Sequence, residues 1–219
     1  MIPKSFVEYY GDHTRWFLGT VVDVFDPLKL GRVKVKVHGV YDEIKDKDLP
    51  WAQVIIPVTT GIHEGKGQNL GMLVGTQVFG VFLDGQNSQL PLVVGSIPKE
   101  DDTNEKALNA YPYNKVYETE TGHFKEYDDS SNGRIHEEHR SGTYYEMQDD
   151  GSRDTTIQKN DVLRVKGDIE IRGDKDANIT IKGDCNIIVT GDAKISAKNV
   201  TVRASDKISL SGTVVKINS

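Results

Sequence analysis

The last quarter of the chain repeats a strand-like pattern every eight residues, and this repeat most constrains how the chain can fold. Successive units read VKGDIEIR, NITIKGDC, NIIVTGDA and KISAKNVT. The turn positions fall at eight-residue intervals, at Gly167, Lys175, Gly183, Gly191, Asn199 and Lys207. Glycine and asparagine supply the flexible backbone that a sharp corner needs. The pattern therefore predicts short strands joined by regularly spaced corners.

Between these corners the side chains alternate between apolar and polar. One parity is mostly apolar and the other is mostly polar, which on a strand places one face in a core and the other in water. The chain has no further sheet or helix to cover the apolar face, so we expect several identical chains wound around one axis. Such closure also removes free strand edges. The predicted core residues are Ile179, Ile181, Cys185, Ile187, Val189, Ala193 and Ile195.

The N-terminal part has a different β pattern. Between residues 14 and 97, five runs rich in valine, isoleucine and aromatic residues are bounded by glycine, proline, aspartate or asparagine, which is typical of short strands. Five such strands favour a small barrel of the OB type, assigned to residues 1–97. Trp16 and Trp51 have mostly aliphatic neighbours, which favours packing in the core over stacking on nucleic-acid bases.

The remaining residues divide into a linker and a needle. Residues 98–115 begin with charges and end in Tyr-Pro-Tyr, and we expect an extended, poorly packed linker. Residues 116–219 form the predicted needle, in which less regular strands and turns precede the repeat. The predicted fold class is therefore all-β: a barrel, a linker and a β-helix built from several chains.

Composition excludes several classes of partner. The formal net charge of -6 argues against a nucleic-acid or membrane-surface partner, which favours a basic patch. No run of apolar residues is long enough to span a membrane. The first residues lack the apolar stretch of a signal peptide, so we expect synthesis in the cytoplasm without secretion.

Three motifs invite a chemical interpretation and favour a structural one. His136 and His139 are three residues apart, whereas the helical zinc motif needs four, and on a strand they point to opposite faces. The run Gly61–Gly67 lacks the spacing of a phosphate loop. Asp128-Asp129 and Asp149-Asp150 precede serine or glycine in turns, where aspartate binds its own backbone. We predict no catalytic, cofactor-binding or metal-binding residue.

A resemblance covers nearly all of the chain. Five motifs follow one another: Thr121-Gly122-His123, Glu126-Tyr127-Asp128-Asp129, Arg134-Ile135, His139-Arg140-Ser141-Gly142-Thr143 and Asp150-Gly151. In this order they resemble the signature of the central spike family of contractile injection machines. The run WFLGTVVDVFDPLKLGRVKVKVHG is similar to the OB domain of the phage members. The resemblance implies a trimeric β-helix needle under an OB collar.

The resemblance also carries expectations about function. The best-known phage members insert a lysozyme domain between collar and needle, and the 98–115 segment is too short to hold one. We therefore expect a non-enzymatic, membrane-piercing central spike in the tail baseplate of a phage virion. Its OB collar would bind a hub ring protein, and its needle would meet the target envelope transiently. The alternatives are the spike of a bacterial contractile or type VI-like secretion system and a trimeric envelope-binding adhesin.

The parity of the apolar residues shifts near the end of the repeat. It becomes even at Asn199 and odd again at Gly212, and each shift predicts a bulge or corner. No histidine follows His139, so the chain lacks the His-x-His metal site with which some shorter family members close their point. We expect a separate tip protein of the PAAR-repeat type to cover the end. The predicted contact residues are Val214, Val215, Ile217 and Ser219.

Overall fold

The first five strands close into a barrel, as the sequence predicts. The computed structural model describes residues 14–67 and 71–216. The barrel strands are β1 (Arg15–Asp23), β2 (Val33–Val37), β3 (Trp51–Val54), β4 (Gln77–Phe82) and β5 (Pro91–Ser96). They pair in the order β1-β2-β3-β5-β4, with β4 closing on β1. The β3–β5 pair is parallel and the others are antiparallel, an arrangement that matches a small OB barrel.

Alternation along the strands fills the barrel. Val33, Val35 and Val37 of β2 point inward and are almost fully buried. Phe17 and Phe82 meet in the middle with their ring centroids 4.9 Å apart. Burying an aliphatic or aromatic side chain of this size stabilises a fold by roughly 1.5–3 kcal/mol. The barrel core thus forms within one chain.

Gly80 lies where two strands and an aromatic ring approach each other closely. A Cβ atom at this position would lie 2.3 Å from the Cζ of Phe17 and 2.5 Å from the carbonyl oxygen of Leu92. Neither neighbour has room to move, because Phe17 is buried in the core and the Leu92 carbonyl belongs to the neighbouring strand β5. The position therefore requires glycine for space.

We expect Gly80→Ala to lower the free energy of unfolding of the barrel by about 2 kcal/mol, in the range for overpacked cores. Urea unfolding followed by tryptophan fluorescence measures this, because both tryptophans lie in barrel strands. Gly95→Ala is the matched control, since its Cβ would meet no atom within 4 Å. Equal losses of stability in the two variants would contradict the packing argument.

A second sheet follows the barrel. It consists of β6 (Asn114–Glu118), β7 (Phe124–Asp128), β8 (Ile135–His139), β9 (Thr143–Met147) and β10 (Arg153–Thr156). Each strand pairs antiparallel with the next along the chain. The first and third connections contain Gly122 and Gly142, whose positive φ angles of 85° and 81° suit glycine. These are the glycines of the Thr-Gly-His and Ser-Gly-Thr motifs.

The prediction that residues 98–115 are extended is wrong, because the segment contains a short helix, α1 (Glu105–Leu108). Most side chains of the segment are exposed, as the prediction of poor packing requires. Asn104 caps α1 by accepting a hydrogen bond from the Lys106 amide (2.9 Å). Asn104 and Lys106 both bind the carboxylate of Glu118 in β6, at 2.7 and 3.0 Å, and these bonds lower its pKa. Polar side chains that look like linker composition in the sequence therefore attach the segment to the second sheet.

The C-terminal repeat forms a separate unit, Leu163–Ser219. Within its described residues, up to 216, no segment pairs as a strand with another part of the chain. The backbone bends at 166–167, 174–175, 182–183 and 190–191, at the predicted eight-residue interval, and again at 198. The later bends fall at 205–206 and 212–213, so the predicted corner at Lys207 is misplaced. The spacing has shortened to seven residues in this region, where the apolar parity shifts.

Candidate functional site: a clamped loop and a two-faced sheet

The loop between β1 and β2 is organised by one carboxylate. Asp26 accepts hydrogen bonds from the backbone amides of Leu28 (3.0 Å), Leu30 (2.9 Å) and Arg32 (3.3 Å). The Arg32 guanidinium donates two more, from Nε (3.1 Å) and Nη2 (2.7 Å). The Arg32 guanidinium and these amides hold the pKa of Asp26 well below its usual range, although burial opposes this. The aspartate, glycine and arginine of the Asp26–Arg32 motif therefore have a structural role.

The clamped loop presents apolar side chains to solvent. Phe25, Leu28 and Leu30 are 85%, 64% and 68% exposed. Lys29 lies between the two leucines and Gly31 follows them, and both have positive φ angles, of 55° and 73°. The loop backbone therefore turns in a specific conformation. Apolar residues held outward on an ordered loop are typical of a protein-interaction surface.

The two tryptophans do not lie in the core, and that prediction is wrong. Phe17 points into the barrel, so its neighbour Trp16 points outward, where it is 65% exposed and stacks on Phe79 (centroids 6.4 Å apart). Trp51 is half-buried outside the core, with the charged groups of Arg32 and Lys34 5.8 and 5.1 Å from its ring centroid. In β1 both the odd-numbered and the even-numbered positions near Trp16 carry apolar residues, so the sequence pattern did not indicate which of them face the core.

The Asp26 clamp predicts a pH-dependent stability. Because the folded-state pKa of Asp26 is lowered, its ionised form stabilises the fold above the unfolded pKa of about 3.9. This stabilisation is lost as the pH falls through that value towards the folded pKa. Asp26→Asn should therefore lower the urea midpoint at pH 7, and its difference from wild type should shrink below about pH 4.

Asp23→Asn is the control for this experiment. Asp23 lies on the same hairpin and accepts a hydrogen bond from the Phe25 amide (2.8 Å) without an arginine partner. We expect a smaller loss at pH 7 than in the Asp26 variant. If both variants lose the same stability at every pH, the clamp has no special role.

The second sheet buries a charged network on one face. Strand pairing matches even-numbered residues with even-numbered ones across all five strands. On this even face Arg134 donates to Glu126 (2.7 Å) and to Glu146 (2.9 Å), and His136 bonds Glu146 (2.7 Å). Glu126, His136 and Glu146 are each at least nine-tenths buried. Burial lowers the pKa of Arg134, but the hydrogen bond and charges of the two glutamates raise it overall.

The preceding segment of the same chain covers the even face. The Asn114 side chain donates to Glu126 (2.7 Å) and to the carbonyl of Lys106 in α1 (2.9 Å). The ammonium of Lys106 lies 4.0 Å from the ring centroid of Phe124, which is 6% exposed. The Glu126 and Arg134 motifs therefore meet in one ion pair beneath α1, an arrangement that the sequence analysis did not predict.

The opposite, odd face of the sheet is uncovered in the described chain. It carries Tyr117, Tyr127, Ile135 and Tyr145, which are between 36% and 59% exposed. Lys125 and Glu137 lie between the tyrosines and form a loose ion pair at 3.9 Å. The sheet thus buries the network of Glu126, Arg134, His136 and Glu146 on one face and leaves three tyrosines partly exposed on the other.

The structure decides several interpretations of the chemical motifs. His136 lies on the even face, and His139 lies on the odd face with its ring centroid 4.6 Å from that of His123, so the predicted opposite orientation is confirmed. Asp128 and Asp150 accept hydrogen bonds from the amides of Ser130 (2.9 Å) and Ser152 (2.8 Å), which confirms the turn-capping role for these two aspartates. Asp129 instead forms an ion pair with Lys115. Hydrogen bonds from the amide and side chain of Ser130 lower the pKa of Asp128, and those from the side chain and amide of Ser152 lower the pKa of Asp150.

The described residues contain neither a cluster of metal ligands nor a helix that could span a membrane. Among residues 14–67 and 71–216, no group of three or more histidines, cysteines, aspartates or glutamates is placed to hold a metal ion. In the same part of the chain, no helix has the length and apolarity needed to cross a membrane. The Gly61–Gly67 run lies in the connection between β3 and β4, where His63 and Lys66 form an isolated β-bridge.

The residues predicted to form the core of the assembly lie on the surface of the single chain. Ile179, Ile187 and Ile195 are 88%, 84% and 83% exposed, and Cys185 is an exposed free thiol. Ile181, Val189 and Ala193 are exposed as well. Of the predicted tip contacts, Val214 and Val215 are exposed, whereas Ile217 and Ser219 lie outside the described residues.

Comparisons with known proteins place the sequence among phage proteins. The family described as "Gp5 N-terminal OB domain" matches residues 32–166, more than half of the chain. The "Pre-baseplate central spike protein Gp5" of Enterobacteria phage T4 is 40% identical over 88 residues, covering 36% of this chain and 15% of that protein. "Protein Gp5" of Vibrio phage KVP40 is 27% identical over 273 residues, covering 79% and 64%. The chain thus spans less than two thirds of the length of either relative.

Proposed function

The chain belongs to the Gp5 N-terminal OB domain family of phage baseplate spike proteins, and from this premise we propose that three copies form the membrane-piercing central spike of a contractile tail. The observation that supports the trimer most directly is that the repeat is neither buried nor paired within the single chain. Its alternating apolar residues are exposed, and its described segments pair with no other part of the chain. Winding three copies around an axis would bury these residues and pair their backbones.

The proposed domain organisation follows from this role. Residues 1–97 form the collar, residues 98–115 join collar and needle, and residues 116–219 form the needle, whose repeat is an intertwined trimeric β-helix. In such a closed needle every strand pairs with a neighbour, so no edge frays under load. Contraction of the sheath would drive this rod through the target envelope.

We propose two partners in the virion. A hub ring protein binds the OB barrel, and a tip protein of the PAAR type covers residues from Val214 to Ser219. The exposed loop residues Phe25, Leu28 and Leu30 support a protein partner for the barrel, and the exposure of Val214 and Val215 supports a covered tip. Both curated relatives are phage proteins, which favours a phage baseplate over a bacterial secretion spike or an adhesin.

We propose that the chain acts mechanically and has no enzymatic activity. The segment between collar and needle, residues 98–115, is occupied by α1 and its contacts with β6, and it has no room for an inserted lysozyme domain. The acidic and histidine residues that could suggest catalysis cap turns or bind one another.

A substitution that introduces a charge into the repeat tests the proposed trimer. Ile187→Asp should abolish assembly, because three carboxylates would be buried together without a partner. Light scattering after size exclusion should give three times the chain mass for wild type and the chain mass for the variant. Ile188→Asp is the matched control, because this neighbouring isoleucine has the opposite parity and would point outward from the proposed needle. It should remain trimeric, and a monomeric wild type would refute the proposed needle.

The absence of enzymatic activity is tested by zymography. The purified trimer, renatured in a gel containing peptidoglycan, should leave no cleared band, while a muramidase in the next lane should leave one. A cleared band at the mass of this chain would overturn the mechanical assignment while leaving the trimer intact.

A further inference from the structure

We propose that His123 and His139 form a binding site for one divalent transition-metal ion that prefers imidazole ligands, such as Zn²⁺, Ni²⁺ or Cu²⁺. The two histidines belong to separate motifs of the sequence, and only the pairing of β7 with β8 brings them together. For this reason the sequence analysis predicted no metal-binding residue. The site lies within one chain, so the proposal does not depend on the proposed trimer.

The register of the second sheet places the two histidines opposite each other. The pairing of β7 with β8 continues one position beyond β7, where His123 faces His139. The carbonyl of His123 accepts a hydrogen bond from the Thr119 amide (2.8 Å). The carbonyl of His139 accepts one from the Gly142 amide (2.8 Å). Because each backbone bonds away from the other histidine, the two form a non-hydrogen-bonded pair, the kind whose side chains approach most closely.

The two imidazole rings have the separation that a shared ion requires. Their centroids lie 4.6 Å apart, and the ring planes are tilted by 59°. With metal–nitrogen bonds of about 2.0–2.1 Å, two imidazoles that bind one ion have their centroids roughly 4.5–5 Å apart. The spacing of His123 and His139 therefore suits one shared ion.

Ser141 is placed to orient the ring of His139. A metal-binding histidine normally binds the ion through one ring nitrogen and donates a hydrogen bond from the other to an oxygen. Nδ1 of His139 lies 2.8 Å from the Oγ of Ser141, which can accept such a bond and direct Nε2 to the ion. In the metal-free ring the Ser141 amide also donates to Nδ1 (3.2 Å). Binding of an ion at Nε2 would replace this longer bond with the shorter one to the hydroxyl.

The surroundings leave room for the remaining ligands of the ion. Both rings line an open depression of about 480 Å³ on the odd face. The described residues bring no third histidine, cysteine, aspartate or glutamate into position to bind the same ion. Water would therefore complete the coordination, as in sites that keep open positions. Lys125 and Glu137, which line the same depression, form an ion pair at 3.9 Å, so together they add no net charge that repels a cation.

Titration calorimetry tests the site on the full chain, expressed without a histidine tag and freed of metal with a chelator. Wild type should bind one Ni²⁺ or Zn²⁺ per chain, and Mg²⁺, which prefers oxygen ligands, should not compete. His123→Ala and His139→Ala should each weaken binding by more than about tenfold. His63→Ala is the matched control, because the exposed His63 lies in the connection between β3 and β4. Equal affinities in the three variants, or no binding by wild type, would overturn the proposal.

Electron paramagnetic resonance of wild type with Cu²⁺ removes any dependence on substitutions. At one Cu²⁺ per chain, the hyperfine coupling should show two imidazole nitrogens bound to the ion. Coupling to a single nitrogen, or to none, would refute the site. Because the spectrum identifies the ligands directly, a variant that fails to fold cannot be mistaken for a lost ligand. A monomeric wild type that gives the two-nitrogen spectrum would refute the proposed trimer and leave this site standing.

Discussion

Side chains on a strand point alternately to its two sides, so each strand has one apolar face that must be covered. The three parts of the chain differ in how they cover this face. In the barrel, closure turns one parity inward, and Val33, Val35 and Val37 fill a core within one chain. The second sheet has the same alternation but does not close, so only its even face is covered by the chain itself. The repeat has no cover within its described residues, and its isoleucines remain exposed. The cover that the chain itself gives to its apolar side chains thus decreases from the barrel to the repeat.

Buried carboxylates organise one loop of the barrel and one face of the second sheet. Asp26 organises the β1–β2 loop through amides and one arginine, and Glu126 and Glu146 share Arg134 beneath α1. A buried charge is costly unless it is paired and hydrogen-bonded, and each of these acids has such partners. Because each acid needs a partner, Asp26 occurs with Arg32, and Glu126 and Glu146 occur with Arg134. The structural role of these charged residues accounts for their presence in the motifs. The charges fix the geometry of the β1–β2 loop and of the second sheet around them.

Two local arrangements stiffen the described chain. The Asp26 clamp holds the loop that carries Phe25, Leu28 and Leu30 in one conformation, and such preorganisation lowers the entropic cost of binding any partner. The contacts of α1 with Glu118 and Phe124 brace the start of the second sheet.

The sequence by itself determined the barrel strands, the turn-capping aspartates, the opposite orientation of His136 and His139 and most corners of the repeat. These features depend on residues close in sequence, through alternation and turn chemistry. Only the tertiary structure decided that Trp16 faces outward, that residues 98–115 fold onto the second sheet, and that Glu126, Arg134 and Glu146 meet. Those outcomes depend on strand register and on contacts between distant segments, which no local pattern specifies.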